Sequence, residues 1–305
     1  MVPFIERQRH GGHDYYYLAR SVRTSPTEVR KVRLFLGREV PPRSKLPELF
    51  RELERKTPRR YAPRLLSAET VERLDDLQAG IASLGRAPSE VPPKDFPVRF
   101  TYNSNAIEGN PLTLRQTALL LVDGVTPAGI RTEHAMEALN SKDAWEYVRA
   151  FKGPLNRACL CKVQYGLSKH TSCRLQGTYR DRDVRIDGSS WVPPPASRVP
   201  EEMERVFHRF RAERTTTHPV ERAVLLHNRV ARVHPFTDGN GRVARLLLNW
   251  ALVKGKLPPV ILEVRNREAY YSALEKGNAG DDGPFARFVA RQLLDQYSFL
   301  ATKRT

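Results

Sequence analysis

At 305 residues with 40% hydrophobic side chains, the chain can bury the core of one large domain and still carry a small appendage. Charged residues make up 28%, and no apolar run approaches the ~20 residues that span a bilayer, so a membrane protein is excluded. A formal charge of +17 and a pI near 10.1 favour an anionic partner: nucleic acid, nucleotide or an acidic protein surface. No aromatic-interleaved RNA motif or zinc-finger spacing accompanies that charge, so a solvated basic surface is the plainer account.

The start of the chain has charges but no apolar stretch behind them, and a cytoplasmic protein is the expectation. Residues 13–23 and 29–37 are rich in aromatic and β-branched side chains around a turn with Ser25-Pro26, which predicts a β-hairpin. Residues 40–62 carry prolines and charges and read as a linker or short helix. The division expected is therefore 1–62, a basic appendage, and 63–305, a helical domain. Ser67, followed by Ala-Glu-Thr, looks like a capped helix start. Helical periodicity continues over 113–123, 132–151, 200–213, 219–233, 241–254, 266–278 and 284–299. Residues 179–186 alternate weakly and end in Asp187-Gly188, which suggests a short extended flap. The prolines at 193–195 then force irregular backbone, because proline cannot donate. Fold class is mainly α with small β features.

Three cysteines cannot form a paired disulfide framework. Cys159, Cys161 and Cys173, with His170, make a conceivable zinc set, but one residue between the first two is an unusual spacing. Three reduced thiols in a helical region are the simpler alternative.

The chemistry concentrates between two core helices. His234-Pro235-Phe236-Thr237-Asp238-Gly239-Asn240-Gly241-Arg242 runs into the second helix, and Arg245 follows three residues on. A helix N-terminus offers unpaired N–H groups and partial positive charge, a site for phosphate. Gly239 and Gly241 let backbone approach an anion closely. Arg242 and Arg245 lie one turn apart, and a guanidinium forks onto phosphate oxygens. Asp238 is a hard oxygen ligand suited to Mg²⁺, and His234 can take a hydroxyl proton near neutral pH. Asp-Gly-Asn-Gly alone is an ordinary turn. The alternating ligands and closing Glu of a calcium loop are absent, and so is a Gly-x-x-x-x-Gly-Lys-Ser/Thr phosphate loop.

The full stretch from His234 to Arg245 matches every specified position of His-Pro-Phe-x-Asp-Gly-Asn-Gly-Arg-x-x-Arg, and the chain thereby resembles the Fic family over roughly residues 63–299. The resemblance implies a Fic-type helical bundle with a short β-hairpin flap. It implies transfer of AMP from ATP to a protein Ser, Thr or Tyr hydroxyl, with release of pyrophosphate. In that reading His234 is the base, and Asp238 holds Mg²⁺ or Mn²⁺. Gly239, Asn240 and Gly241 cradle phosphates, Arg242 steadies them, and Arg245 grips the γ-phosphate. The stretch around Val184, Arg185 and Ile186 resembles the flap that docks the target peptide. Tyr270, Tyr271 and Asn278 resemble the nucleoside-binding part, although paired tyrosines on an amphipathic helix also suit a core. Ser104, Glu108, Gly109 and Asn110 resemble the inhibitory motif, on a helix near 100–110. Glu108 is expected to pair with Arg245 and deny it to ATP. Residues 152–176 depart from the pattern, lacking the Leu-His-x-x-Leu helix expected before the flap. AMP removal or another nucleotide or phosphate donor is an alternative activity, and a nucleic-acid-binding protein on a vestigial Fic fold is an alternative of another class. The target includes the chain itself as the minimal case, and a homodimer is an option common among relatives.

Overall fold

The computed structural model describes residues 3–23, 29–56 and 64–300. Two compact units divide the chain, Met1–Ala62 and Pro63–Thr305.

The first unit is an antiparallel sheet with strand order β1-β2-β3, formed by β1 (Phe4–His10), β2 (His13–Arg23) and β3 (Val29–Gly37). The expected hairpin is the β2–β3 pair; its Ser25-Pro26 turn lies outside the described residues. The strand β1 is an addition to the sequence reading. It is joined to β2 through Gly11 and Gly12, both at positive φ. Helix α1 (Leu46–Lys56) follows, within the stretch expected to be linker or short helix, and the rest of that stretch from residue 57 is not described. Leu49 and Leu53 of α1 pack on Leu18, Val32, Leu34 and Leu36 to make a small core.

The second unit is helical. Its elements are α2 (Ala68–Ser83), α3 (Phe96–Ile107), α4 (Leu114–Val122), α5 (Thr132–Ala150), α6 (Arg157–Ser168), α7 (Val199–Ala212), α8 (Pro219–Val233), α9 (Asn240–Lys254), α10 (Arg267–Asn278) and α11 (Gly283–Gln296). Ser67 caps α2 by accepting from the Thr70 N–H at 3.2 Å. The Leu-Leu-Leu-Asn-Trp-Ala-Leu run of α9 is apolar on every side except at Asn249, whose amide bonds the Val260 backbone, and that helix is accordingly buried along nearly its whole length. Helix α8 turns Val220, Ala223, Val224 and Val230 toward it.

Two devices fix the segments that matter for the site. Glu221 of α8 is wholly buried and accepts from the backbone N–H groups of Arg64, Leu65 and Leu66 at 3.0, 2.8 and 2.9 Å, which ties the entry of this unit to its central pair. Trp145 of α5 lies 5.1 Å, ring to ring, from both Phe96 and Phe100, seating α3 on the core. Truncating a buried aromatic of this kind costs roughly 3–5 kcal/mol, so Trp145 anchors the first turns of α3.

Candidate functional site

Helix α8 terminates at His234, which adopts the left-handed conformation with φ 50° and ψ 58° and donates its N–H to Val230 O at 3.0 Å. Pro235 prevents the helix from continuing. A non-glycine residue in that region needs support, and Arg180 gives it. The Arg180 side chain is buried; its Nε donates to His234 O at 2.8 Å, its backbone N–H to Pro235 O at 2.9 Å, and Nη1 to Arg182 O at 2.9 Å. Burial lowers the His234 pKa below the ordinary histidine value, against a bond to the Ala231 backbone that raises it. The imidazole is therefore neutral at pH 7, the state a base needs.

The loop beyond His234 is closed by Asn240. Its side chain accepts from Phe236 N–H at 2.9 Å and donates to Phe236 O at 2.9 Å, while the Phe236 ring is fully buried against Tyr179. The Asn240 side-chain amide is thereby committed to the loop. Gly239 caps α9 at φ 79°. The N–H groups of the first turn of α9 have no intrahelical acceptor, so the helix end is an anion site. Asp238 stands at its edge, half-exposed, accepting from Gly239 N–H at 2.6 Å and from Arg242 Nη2 at 2.9 Å.

The expected inhibitory segment meets this helix end. Helix α3 stops at Ile107, Glu108 is its C-cap, and Gly109 turns at φ 94°. Glu108 Oε1 lies 2.8 Å from Arg245 Nη2. A Cβ placed on Gly241 would fall 2.2 Å from Glu108 Oε1 and 3.1 Å from Arg245 Nη1, so only glycine at 241 admits the carboxylate here. Glu108 thus occupies the α9 N-terminus as an internal anion. Arg245 is buried and also donates to Ser104 Oγ at 3.0 Å, Ser104 O at 2.7 Å and Tyr270 Oη at 3.3 Å. Burial opposes its charge, yet Glu108 and then Tyr270 hold its pKa above the ordinary arginine value.

Tyr270 departs from expectation. It is buried among His227, Phe285 and Phe288, with its hydroxyl between Arg245 and His227 Nε2 at 3.1 Å, so it presents no open face to a nucleoside and instead orients Arg245. Tyr271 is half-buried and donates to Ile107 O at 2.9 Å, securing the end of α3. Asn278 donates to Glu275 at 3.1 Å and to Ser189 Oγ at 3.4 Å, beside the segment that carries Val184, Arg185 and Ile186.

That segment is not a β-hairpin. Among the described residues of 177–195 no strand forms, because the prolines at 193–195 cannot donate and Arg180 takes the carbonyls of Arg182 and Pro194 as it turns toward His234. It is pinned at intervals. Asp183 accepts from Ala196 N–H at 2.7 Å, Ser189 and Ser190 bond Glu275, and Trp191 Nε1 donates to Arg232 O at 2.9 Å. Val184 and Ile186 are half-buried and Arg185 is exposed.

Residues 157–168, where the family pattern thinned, form α6, with Leu160, Val163 and Leu167 buried. Its Gln164 reaches the active loop, donating to Asp238 O at 3.3 Å and accepting from Gly177 N–H. Burial pushes the Cys159 thiol up to about 11, and Cys173 contacts Leu175 O and Thr237 Oγ1. Among the described residues no three His, Cys, Asp or Glu side chains gather to hold a metal, so the four-residue zinc set is not assembled.

Two functional residues escaped the sequence reading. Arg180 was inside the flap stretch but unassigned. Glu137 of α5 bonds Arg242 Nη1 at 3.0 Å and Asn110 Nδ2 at 2.8 Å, while Asn110 also donates to His134 O at 3.0 Å. The end of α3 is thereby linked to both loop arginines: Glu108 to Arg245, and Asn110 through Glu137 to Arg242. In the sequence nothing distinguishes Glu137 from Glu133, Asp143 and Glu146 on the same helix.

Fold and site together define a helical domain that sets a neutral histidine beside the arginine-flanked N-terminus of α9. Residues 154–252 match the model of the Fic/DOC family, so this part of the chain is a Fic domain. It is 32% identical over 237 residues to protein adenylyltransferase Fic of Nematostella vectensis, covering 74% of this chain and 54% of that protein. Its counterpart in Drosophila mojavensis is 31% identical over 242 residues, covering 76% of this chain and 48% of that one. The chain spans about half the length of the curated relatives it matches. Among solved structures, Fic-1 of C. elegans is similar with a TM-score of 0.68 at 25% identity, covering 85% of this chain and 74% of that one. A Fic-domain signaling protein of Bacteroides thetaiotaomicron is similar with a TM-score of 0.66 at 25% identity, covering 75% and 95%.

Proposed function

We propose that this chain is a protein adenylyltransferase, moving AMP from ATP onto a Ser, Thr or Tyr hydroxyl of a protein, itself included, with Glu108 as an internal brake. The observation that carries the reading is the neutral, left-handed His234 beside the Arg-flanked N-terminus of α9. Relatives named protein adenylyltransferase Fic support it.

His234 takes the proton of the attacking hydroxyl. The hydroxyl oxygen bonds the α-phosphorus, the bridging α–β P–O bond breaks, and pyrophosphate leaves. The helix end and Arg242 receive phosphate charge, in the manner of preorganised anion sites. Arg245 is the γ-phosphate partner once Glu108 leaves it. Asp238 suits a divalent cation: it is anchored by Gly239 and Arg242 yet 55% accessible, and Mg²⁺ usually takes one or two carboxylates along with substrate phosphates. Bound there, magnesium or manganese supplies neutralising charge to the polyphosphate. The segment around Val184–Ile186, outside any sheet, offers its backbone for a target peptide to pair with.

The test compares ATP labelled at the α- or γ-phosphate, using the Glu108→Gly chain. Label retained on protein from α-labelled ATP alone, with pyrophosphate released, supports adenylyl transfer. Retention of γ-label assigns phosphoryl transfer instead and overturns the proposal.

A further inference from the structure

The sheet of the first unit has two unlike faces. Leu18, Leu34 and their neighbours point toward α1. On the opposite face, the register aligns Gln8 with Tyr15, and Glu6 with Tyr17, which in turn aligns with Phe35. The rings gather there. Phe35 is 6.1 Å from Tyr15 and 5.3 Å from Tyr17, and Tyr15 is 6.5 Å from His10, ring to ring. Phe35 is 57% exposed and Phe4, at the other end of the face, is 44% exposed. Such a cluster has no reason to face water unless something covers it.

Cations frame the rings. Arg38 lies 5.6 Å from the Tyr15 ring and Lys31 5.6 Å from the Phe4 ring. Arg33 and Lys31 share Glu6, the one carboxylate of this face among the described residues, at 3.2 and 3.3 Å. First Arg33, then Gln8 and Lys31, hold the Glu6 carboxyl down to about 2, so it stays charged and keeps both cations spread across the sheet. Three cations against one acid leave the face positive. The whole stretch 1–62 carries fifteen Lys and Arg against seven Asp and Glu. An apolar protein surface would strip water from these cations without replacing it. A chain of phosphates bearing flat bases satisfies both the rings and the charges. In a duplex the base faces are already stacked, so rings that stack on bases require unpaired ones.

We infer that the open face of the β1–β3 sheet binds single-stranded nucleic acid, with Tyr15, Tyr17 and Phe35 stacking on bases and Lys31, Arg33 and Arg38 meeting phosphates. This function is separate from nucleotide chemistry in the helical unit. It gives the charge excess of the N-terminal stretch a specific task.

Fluorescence anisotropy of the full chain with labelled single strands of about 12 nucleotides, DNA and RNA, and with the matching duplex, tests it. The strands bind in preference to the duplex, and a preference between the two sugars names the natural ligand. Phe35→Ala and Tyr17→Ala each weaken binding by about 5–100-fold, and Phe35→Trp retains it. Arg33→Gln flattens the logarithmic salt dependence by about 0.7. Since Arg33 is exposed and outside the small core, that variant keeps the test decisive if a ring variant loses its fold. No binding at low salt, equal binding of duplex, or strand binding indifferent to the ring variants overturns the inference.

Discussion

Replacing Glu108 by glycine moves stability and activity in opposite directions. The carboxylate is the charged partner of Arg245, whose side chain is only 2% accessible. Removing one member of a fully buried pair costs ~3–5 kcal/mol. Glu108 is itself 36% accessible, and Arg245 keeps two bonds to Ser104 and one to Tyr270, so the loss shrinks to about 1–2 kcal/mol. For a domain of this size that lowers Tm by about 2–8 °C. The same substitution clears the α9 N-terminus, where Glu108 now sits against Gly241. If the carboxylate and a phosphate compete for one arginine with a coupling of ~1–3 kcal/mol, AMP transfer rises about 5–150-fold. Differential scanning fluorimetry without and with Mg²⁺-ATP, beside a transfer assay, reads both. The variant melts lower than wild type without nucleotide, and nucleotide raises its Tm by more than it raises that of wild type. A variant that melts lower, gains nothing extra from nucleotide and transfers no faster refutes the competition.

Other outcomes follow from the same geometry. Since burial lowers the His234 pKa and only the neutral ring accepts a proton, kcat/KM rises with pH along an acid limb centred below 6.5 and is flat at pH 7–8; a limb above 6.5 contradicts this. Glu137→Gln removes a charged partner of Arg242 and raises KM for ATP about tenfold with kcat less affected, measured by steady-state transfer in the Glu108→Gly background. Asp238→Asn raises the magnesium concentration needed for half-maximal transfer, read by metal titration after chelation. Buried His227 has its pKa pushed down to about 3, so the unfolded chain binds its proton first; its contribution to stability is complete above pH 6.5 and is lost as pH falls toward 3. Urea unfolding of His227→Gln across that range shows a shallower acid loss than wild type.

Much of the site was legible because it is local. His234 to Arg245 is one continuous stretch, and the apolar spacing on either side marked the helices that carry it. Ser104 and Glu108, one turn apart at the end of α3, stood out only through their resemblance to the Fic inhibitory motif. What escaped depends on partners far along the chain. Glu137 acquires meaning only when α5 brings it to Arg242, 105 residues away. Arg180 looks like one more flap cation until its fork is seen on the His234 carbonyl, 54 residues on. Tyr270 followed the amphipathic pattern into the core, where its hydroxyl serves Arg245, and the pattern alone could not separate that from a nucleoside platform. The segment α6 was obscured by its cysteines, lysine and glycine, although Leu160, Val163 and Leu167 carry the 3–4 spacing of a helical face. The weak alternation over 179–186 suggested an extended flap and the family resemblance a hairpin, but without a partner strand no strand forms there.

The most direct measurement is AMP incorporation from α-labelled ATP with Mg²⁺ by wild type, Glu108→Gly, and Glu108→Gly with His234→Ala, all at equal protein concentration. The account predicts weak labelling of wild type, strong labelling of the single variant, and a fall of at least about 10²-fold in the double variant. Equal labelling of single and double variants would remove His234 as the base, and equal labelling of wild type and Glu108→Gly would remove the brake.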